Sequence, residues 1–308
     1  MISGNGASRR LGLFGRRESL RTFSKILNLP YGAVMSDKTF SATLDAVAEV
    51  MRAKAELPFF RLLTLAALGG AYIALAAFGA TAVSCNLTAS PDTYGLGRFV
   101  SGVVFPIGLM LVVVGGAELF TGNCLMTEAL RRGVVRPSGM ARNWILTYLG
   151  NMIGAFAVAA MLHASGLFHA ADGRLAAAVI RAAAAKISLG SSEAFTLGVL
   201  CNWLVCLAVW LSSRTDVLAH KALLVFFPIC LFVISGYEHS VANMYYLSAG
   251  FWAATDGATL AIAGLPEAAV SAISAIGASH NLLFVTLGNI VGGALFVGGA
   301  YAVAYKTR

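Results

Sequence analysis

The chain has 308 residues, of which 58% are hydrophobic and 12% are charged, and its mean hydropathy is +0.78. This composition excludes an ordinary soluble globular protein, in which about a quarter of the residues are charged. The net charge of +8 needs no nucleic-acid partner to explain it, because a positive cytoplasmic face is typical of membrane proteins.

Two different segments precede the first long apolar run. Residues 1–35 are basic and contain serine and glycine, and they predict a poorly ordered or membrane-surface tail. Residues 36–57 place hydrophobic side chains at helical spacing, which predicts an amphipathic helix on the cytoplasmic surface or packed against the membrane body. No apolar run occurs before Leu62, so no cleaved leader is predicted.

Residues 58–308 are predicted to form the transmembrane domain, with six apolar segments that could each cross roughly 30 Å of hydrocarbon. The segments are Leu62 to Pro91, Phe99 to Ala117, Asn143 to Ala171, Ala194 to Ser213, Ala222 to Thr255 and Ala268 to Tyr305. If the N-terminus is cytoplasmic, only Arg98, Arg174, Arg181 and Lys186 of the basic residues face the other side. The positive-inside rule therefore predicts a multi-pass protein of the plasma or inner membrane with both termini cytoplasmic.

An internal repeat is the strongest organisational signal. The segment GAELFTGN, which ends at Asn123, shares Gly, Glu and Asn with GYEHSVAN, which ends at Asn243, and the flanking spans also match. The repeats cover about residues 60–165 and 187–305. Because each contains three crossings, an odd number, we expect the second repeat to be inverted relative to the first.

Each repeat carries one acidic residue in mid-membrane, Glu118 or Glu238, where an unpaired charge costs roughly 2.5 to 3.5 kcal/mol. Neighbouring glycines predict that the second and fifth helices are broken there, which exposes backbone amides at the start of the next half-helix. We expect Glu118 and Glu238 to cap those amides as structural residues rather than to carry protons. Paired breaks also indicate a transport site near the midplane.

The two breaks carry different residues at one matching position, which is Leu119 in the first repeat and His239 in the second. A lone histidine on an apolar helix is more often a satisfied core residue. Its place at a predicted break, beside an acid and one turn before Asn243, favours a pore role, because imidazole can donate, accept or carry a proton near neutral pH.

The segments ELFTGN (118–123), NWLVCLAVW (202–210) and GYEHSVAN (236–243) resemble the three signature segments of the formate/nitrite transporter family. The resemblance covers about residues 36–306. It implies an all-α, aquaporin-like fold of six transmembrane helices in a homopentamer within the lipid bilayer, with one pore per protomer. The implied substrate is a small monovalent anion or its weak acid, formate first. Because an apolar constriction disfavours an isolated ion, we expect a proton to move with it. Nitrite, hydrosulfide, lactate and acetate are the alternatives to formate.

The resemblance also implies roles for single residues. His239 looks like the central pore histidine, and Thr121 like the threonine of the loop that breaks the second helix. Asn202 and Asn243 are similar to polar pore-lining residues. Lys186 resembles a basic residue of the extracellular vestibule, although an ordinary interfacial lysine is the alternative. The residues similar to the hydrophobic constrictions are Phe105 with Leu109 on the one hand, and Phe232 with Leu119 and Phe120 on the other.

Other functions find less support in the sequence. A water or glycerol channel of the aquaporin type should carry Asn-Pro-Ala motifs, but no proline follows an asparagine. A membrane-embedded enzyme should carry a catalytic motif such as GxSxG or HExxH, and none occurs. No cofactor or metal motif is present, and the five cysteines form no CxxC pair, so we expect them to be buried apolar residues.

Overall fold

The computed structural model describes residues 38–305, and the predicted tail of residues 1–35 lies outside this range. The described residues are almost entirely helical. The helices are α1 Phe40–Ala55, α2 Phe59–Ser84, α3 Tyr94–Val104, α4 Ile107–Gly115, α5 Phe120–Asn123, α6 Met126–Arg131, α7 Pro137–Ala164, α8 Arg174–Ile187, α9 Ser191–Ser212, α10 Leu218–Ser235, α11 Ser240–Ala253, α12 Gly257–Ala263, α13 Glu267–Ser271, α14 Ala275–Gly293 and α15 Ala300–Ala304. A π-helical turn, Ala294–Gly299, joins the last two.

Within residues 38–305, six helical segments are long and apolar enough to cross a membrane, as predicted. They are Phe59–Ser84, Pro91–Gly115, Pro137–Ala164, Ser191–Ser212, Leu218–Ser235 and Ala275–Ala304. The first and third spans, α2 and α7, pack along each other, and so do the fourth and sixth, α9 and α14. The inverted relation between the halves remains a prediction.

The second and fifth helices are broken, as predicted. The helix α4 ends at Gly116 with φ of 75°, and α10 ends at Gly236 with φ of 80°. Glycine adopts this left-handed conformation without the steric penalty of a Cβ atom, and it commonly ends helices. The chain then runs extended through Leu119 or His239 before α5 or α11 begins. Two pairs of half-helices therefore meet inside the bundle.

The amphipathic helix α1 packs against the transmembrane body. Its apolar face, which includes Leu44, Val47 and Met51, is buried, and it contacts α6 and α7. Between the third and fourth spans, α8 packs against α11 and α12. Each half of the chain thus has a short amphipathic helix before its first span.

Glycines allow the close approach of α2 and α7. A Cβ atom added to Gly154 would lie 1.9 Å from the carbonyl oxygen of Ala67, which is far inside van der Waals contact. The carbonyl belongs to the backbone of the neighbouring helix and cannot move aside alone. Small residues at such crossings are typical of transmembrane helix packing.

We expect Gly154→Ala to lower the thermal stability of the detergent-solubilised protein, because overpacking of a tight contact costs about 1 to 3 kcal/mol. Gly95→Ala is the matched control, since an added Cβ there meets no atom within 4 Å. Circular dichroism melting curves of both variants measure the difference. Equal melting temperatures for the two variants would contradict the close packing.

Candidate functional site

An asparagine of the third span caps the first broken helix. The backbone N–H of Phe120, at the start of α5, donates to Asn151 Oδ1 at 2.9 Å. Asn151 Nδ2 donates in turn to the carbonyl oxygens of Ala66 at 2.7 Å and Glu118 at 2.9 Å. One amide side chain therefore ties α2, the break and α5 together, because it accepts and donates at once.

The same arrangement recurs at the second break. The backbone N–H of Ser240 donates to Asn289 Oδ1 at 2.9 Å, and Asn289 Nδ2 donates to the carbonyl oxygens of Gly198 at 2.8 Å and Glu238 at 3.0 Å. This corrects the prediction that Glu118 and Glu238 cap these amides. A carboxylate could accept from the amide, but it has no N–H with which to hold the carbonyls.

The carboxylate of Glu118 instead pairs with a lysine of α1. Lys54 Nζ lies 2.9 Å from Glu118 Oε1, and Asn123 Nδ2 donates to Glu118 Oε2 at 2.8 Å. Asn123 Nδ2 also donates to Asn143 Oδ1 at 2.9 Å, and Asn143 Nδ2 donates to the Lys54 carbonyl oxygen at 3.0 Å. We call these four residues the Lys54 network. It supplies the partner that a buried carboxylate requires.

A second set of four residues, the Lys186 network, repeats this geometry. Lys186 Nζ lies 2.8 Å from Glu238 Oε1, and Asn243 Nδ2 donates to Glu238 Oε2 at 2.6 Å. Asn243 Nδ2 also donates to Asn281 Oδ1 at 2.8 Å, and Asn281 Nδ2 donates to the Lys186 carbonyl oxygen at 2.7 Å. The charge of Lys186 is therefore paired with an acid.

The mid-membrane position of Glu118 requires a partner, but Lys54 was not identified as that partner from the sequence. A signal was available in the repeat, because Lys54 and Lys186 stand at the same distance before the first span of their halves. Asn151 and Asn289 also stand at matching positions of the two repeats, each directly after a glycine, but no role was assigned to them from the sequence alone.

A cavity of about 420 Å³, the Lys186 cavity, opens beside the Lys186 network. Its charged lining residues are Arg98, Arg181, Lys186 and Glu238. Asn243 also lines this cavity. Since three cations face one acid, the cavity carries an excess of positive charge, which attracts anions.

A second cavity of about 260 Å³, the Lys54 cavity, opens beside the Lys54 network. Its charged lining residues are Lys38, Lys54, Lys221, Glu118 and Asp216. Lys38 Nζ donates to Asp216 Oδ1 at 2.9 Å, and this hydrogen bond lowers the pKa of the Asp216 carboxyl below its ordinary value. Three lysines thus face two acids, and this cavity also carries positive excess.

Phenylalanine rings close the inner end of the Lys186 cavity. Phe105 and Phe232 meet edge to face with ring centroids 5.4 Å apart, and the imidazole of His239 stacks on Phe232 at 5.9 Å. Each of the three side chains is 3% exposed and lines the cavity. Phe105 and Phe232 therefore lie together beside His239, which corrects the prediction that the two phenylalanines belong to separate constrictions.

Leu109 and Leu119 occupy the facing end of the Lys54 cavity. Thr121 bridges the two sides, because its Oγ1 lies 3.1 Å from His239 Nε2. Leu109, Leu119, Thr121, His239 and the phenylalanine pair are all buried and include lining residues of both cavities, and we call this set the central layer.

Phe120 does not join this layer and corrects the prediction that it forms a constriction. Its ring packs edge-on against Tyr148 at 5.1 Å and Trp144 at 6.0 Å, both on α7. The preceding Leu119 is extended, with φ of −129° and ψ of 123°. Successive side chains of extended backbone point to opposite sides, so a cavity-facing Leu119 turns Phe120 away.

Asn202 holds the backbone at Thr121, and its role as a pore-lining residue stays a prediction. It is fully buried, and its Nδ2 donates to the carbonyl oxygens of Thr121 at 3.1 Å and Asn289 at 2.6 Å. Cys206 Sγ also contacts the Thr121 carbonyl at 3.2 Å, a role that sequence reasoning missed because the cysteine lay in an apolar span without a motif. Both side chains hold the backbone of Thr121.

The hydrogen bonds of His239 fix which nitrogen carries the proton. The backbone N–H of Ala242 donates to His239 Nδ1 at 3.0 Å, so Nδ1 is an acceptor. In neutral imidazole the proton then resides on Nε2, which donates to Thr121 Oγ1. His239 therefore directs an N–H group into the central layer.

The family model for the formate/nitrite transporter matches residues 41–303. The chain belongs to this family. It is 37% identical over 284 residues to a probable formate transporter of Methanothermobacter thermautotrophicus, covering 88% of this chain and 98% of the relative. It is 39% identical over 239 residues to the formate channel FocA of Haemophilus influenzae, covering 74% and 81%.

Solved structures agree with this assignment. A pentameric formate channel with formate bound superposes on this formate/nitrite transporter with a TM-score of 0.72 and 31% identity, covering 81% of this chain and 98% of the other. An FNT family ion channel gives a TM-score of 0.73 and 30% identity, covering 87% and 99%. The chain is therefore a multi-pass membrane channel or transporter and not an enzyme. Both networks and the central layer lie within the matched residues.

Proposed function

We propose that this formate/nitrite transporter conducts formate, as the anion or as its weak acid, between the Lys186 cavity and the Lys54 cavity. The observation that carries the proposal is the N–H donor of His239, held in a buried apolar layer between two positive cavities. The names of the formate channels among the relatives support formate as the first substrate.

The charge of the cavities and the apolar layer favour different forms of the substrate. A positive cavity concentrates the anion at the entrance. The central layer excludes an isolated ion, because loss of hydration costs several kcal/mol. Burial disfavours the charged form of an acid, so the substrate takes up a proton more readily as it leaves water. Formate and a proton therefore cross together, and passive anion flux is the variant at high pH.

His239 acts in this scheme as a hydrogen-bond donor rather than as a proton relay. A relay requires Nδ1 to bind a proton, but Nδ1 already accepts from the Ala242 amide. Protonation would break that bond and place a positive charge beside Phe232. The proton on the substrate then comes from water in the cavity.

The same proposal covers assembly and orientation. One relative is a pentameric channel, and we propose a homopentamer with one pore in each protomer. The matching Lys54 and Lys186 networks support inverted halves. The distribution of basic residues supports cytoplasmic termini, with the Lys54 cavity facing the cytoplasm.

Flux measurements on the full chain in proteoliposomes test the proposed function. We expect formate uptake to rise as the external pH falls, together with acidification of the lumen beyond that of protein-free liposomes, which control for acid that crosses lipid unaided. A panel of nitrite, acetate, lactate and hydrosulfide tests the substrate. Uptake of nitrite without formate would refute the substrate, and formate uptake without proton entry would refute the co-movement.

A further inference from the structure

Arg98 lines the Lys186 cavity and binds the end of a broken helix. Its Nε donates to the carbonyl oxygen of Ile234 at 3.3 Å, and a terminal nitrogen donates to the carbonyl oxygen of Val233. Both carbonyls belong to the last turn of α10. Gly236 leaves room for this contact, since an added Cβ would lie 3.3 Å from Arg98 Nη2.

The end of α10 presents negative charge where the substrate gathers. The last carbonyls of a helix lack intrahelical partners, and the aligned peptide dipoles give this end about half an elementary negative charge. Val233 and Gly236 line the same cavity as Lys186. The backbone N–H of Tyr237 donates to the Phe232 carbonyl oxygen at 3.2 Å, and that of Gly236 donates to the Val233 carbonyl oxygen at 3.1 Å. Arg98 adds a second donor to Val233 and binds the carbonyl oxygen of Ile234. Without the guanidinium, the Ile234 carbonyl oxygen would lose the Arg98 donor and the Val233 carbonyl oxygen would keep only the Gly236 N–H, so this helix end would repel an entering anion more strongly.

We propose that Arg98 is a positioning residue for anion entry, which screens the carbonyl end of α10 and holds Phe232 against Phe105. This inference rests on the proposed function in one respect, because it requires that the substrate enters the Lys186 cavity as an anion. Arg98 lies on α3 shortly before Phe105, and its acceptor Val233 follows Phe232 directly. One side chain therefore joins the two helices that supply the ring pair of the central layer.

The other half of the chain shows that a helix break does not itself require this arginine. By the repeat alignment, the residue that corresponds to Arg98 is Leu218, at the start of α10, which has no polar side chain. The break after α4 forms nonetheless. The arginine is thus particular to the Lys186 cavity.

Arg181 offers a matched control in the same cavity. It carries the same charge and lies on α8, and its Nη1 is 3.4 Å from the carbonyl oxygens of Ile262 and Ala263 at the end of α12. Replacement of Arg181 removes one positive charge from the cavity but leaves the end of α10 covered.

The test compares Arg98→Met, Arg98→Lys and Arg181→Met as full chains in proteoliposomes, with uptake measured against substrate concentration near neutral pH and in acid. The anion used is the one of formate, nitrite and acetate that the wild type carries best.

For Arg98→Met we expect a half-saturation concentration raised about five- to tenfold near neutral pH. In acid the increase should shrink, because more of the substrate is neutral. Arg98→Lys should be intermediate. Arg181→Met removes one charge from the cavity but leaves the end of α10 covered, so it should raise the half-saturation concentration less than Arg98→Met does.

Several outcomes would overturn the inference. One is an equal increase of the half-saturation concentration in Arg98→Met and Arg181→Met. Another is an increase in assembled Arg98→Met that is as large in acid as near neutral pH. If size-exclusion chromatography shows that Arg98→Met does not assemble, Arg98→Lys decides: an unchanged half-saturation concentration near neutral pH refutes the role. If the wild type carries none of the anions, the proposed function fails and this inference fails with it.

Discussion

Lys186→Met is expected to destabilise the folded protein by about 3 to 5 kcal/mol, because it leaves the Glu238 carboxylate buried without its cation. The side chains of Lys186 and Glu238 are 16% and 8% exposed, so water compensates little. The loss should appear as a lower midpoint in denaturant or thermal unfolding of the protein in detergent micelles.

Two further variants separate the pair from the charge alone. Lys186→Met combined with Glu238→Gln should recover much of the loss, because a neutral amide needs no cation and still accepts a hydrogen bond from Asn243. Lys38→Met breaks the ion pair with Asp216, whose side chain is 72% exposed, and should cost less than about 1 kcal/mol. Equal losses in Lys186→Met and Lys38→Met would show that the Lys186 network does not stabilise the fold.

Local chemistry in the sequence was sufficient to predict the broken helices. A charged residue in an apolar segment must have a structural reason, and glycine beside it permits the turn. The repeat extended the same conclusion to both halves. The family resemblance singled out Phe105, Phe232 and His239, but it placed the two phenylalanines in different constrictions, whereas their rings meet edge to face in the structure.

The partners across the bundle were less accessible to sequence reasoning. Hydrogen bonds such as those from Lys54 to Glu118 or from Asn202 to the Thr121 carbonyl join residues that are far apart in the chain. Spacing along one helix does not specify which neighbour a side chain meets. Phe120 shows the same limit at short range, because its direction depends on the extended backbone of Leu119.

The repeat of an asparagine at each break has a physical reason. A broken helix leaves both donors and acceptors unpaired, and an amide side chain is one of the few groups that can satisfy both at one point. This leaves each glutamate free to pair with a lysine of the preceding amphipathic helix. Structural capping and charge placement are thus separate tasks, which the sequence analysis had assigned to the same two acids.

His239→Leu is expected to lower formate flux about a hundredfold, because it removes a preoriented N–H donor from a layer with low dielectric. The fold should tolerate the change. Leu119 occupies the matching position of the other half with similar backbone angles, φ of −129° against −110° for His239. The lost hydrogen bond from Ala242 should cost about 0.5 to 2 kcal/mol, which a melting curve of the variant in detergent would register.

His239→Asn distinguishes a hydrogen-bond donor from a proton relay. Asparagine is a favoured N-cap, so its side-chain oxygen can accept from the Ala242 amide as Nδ1 does, while its NH₂ group points into the layer. Asparagine cannot titrate in this range. If His239 only donates, His239→Asn should retain more flux than His239→Leu and keep the pH profile of the wild type. A flattened profile in His239→Asn would instead show that the imidazole carries the proton, and it would require Nδ1 to release the Ala242 amide during each transport event.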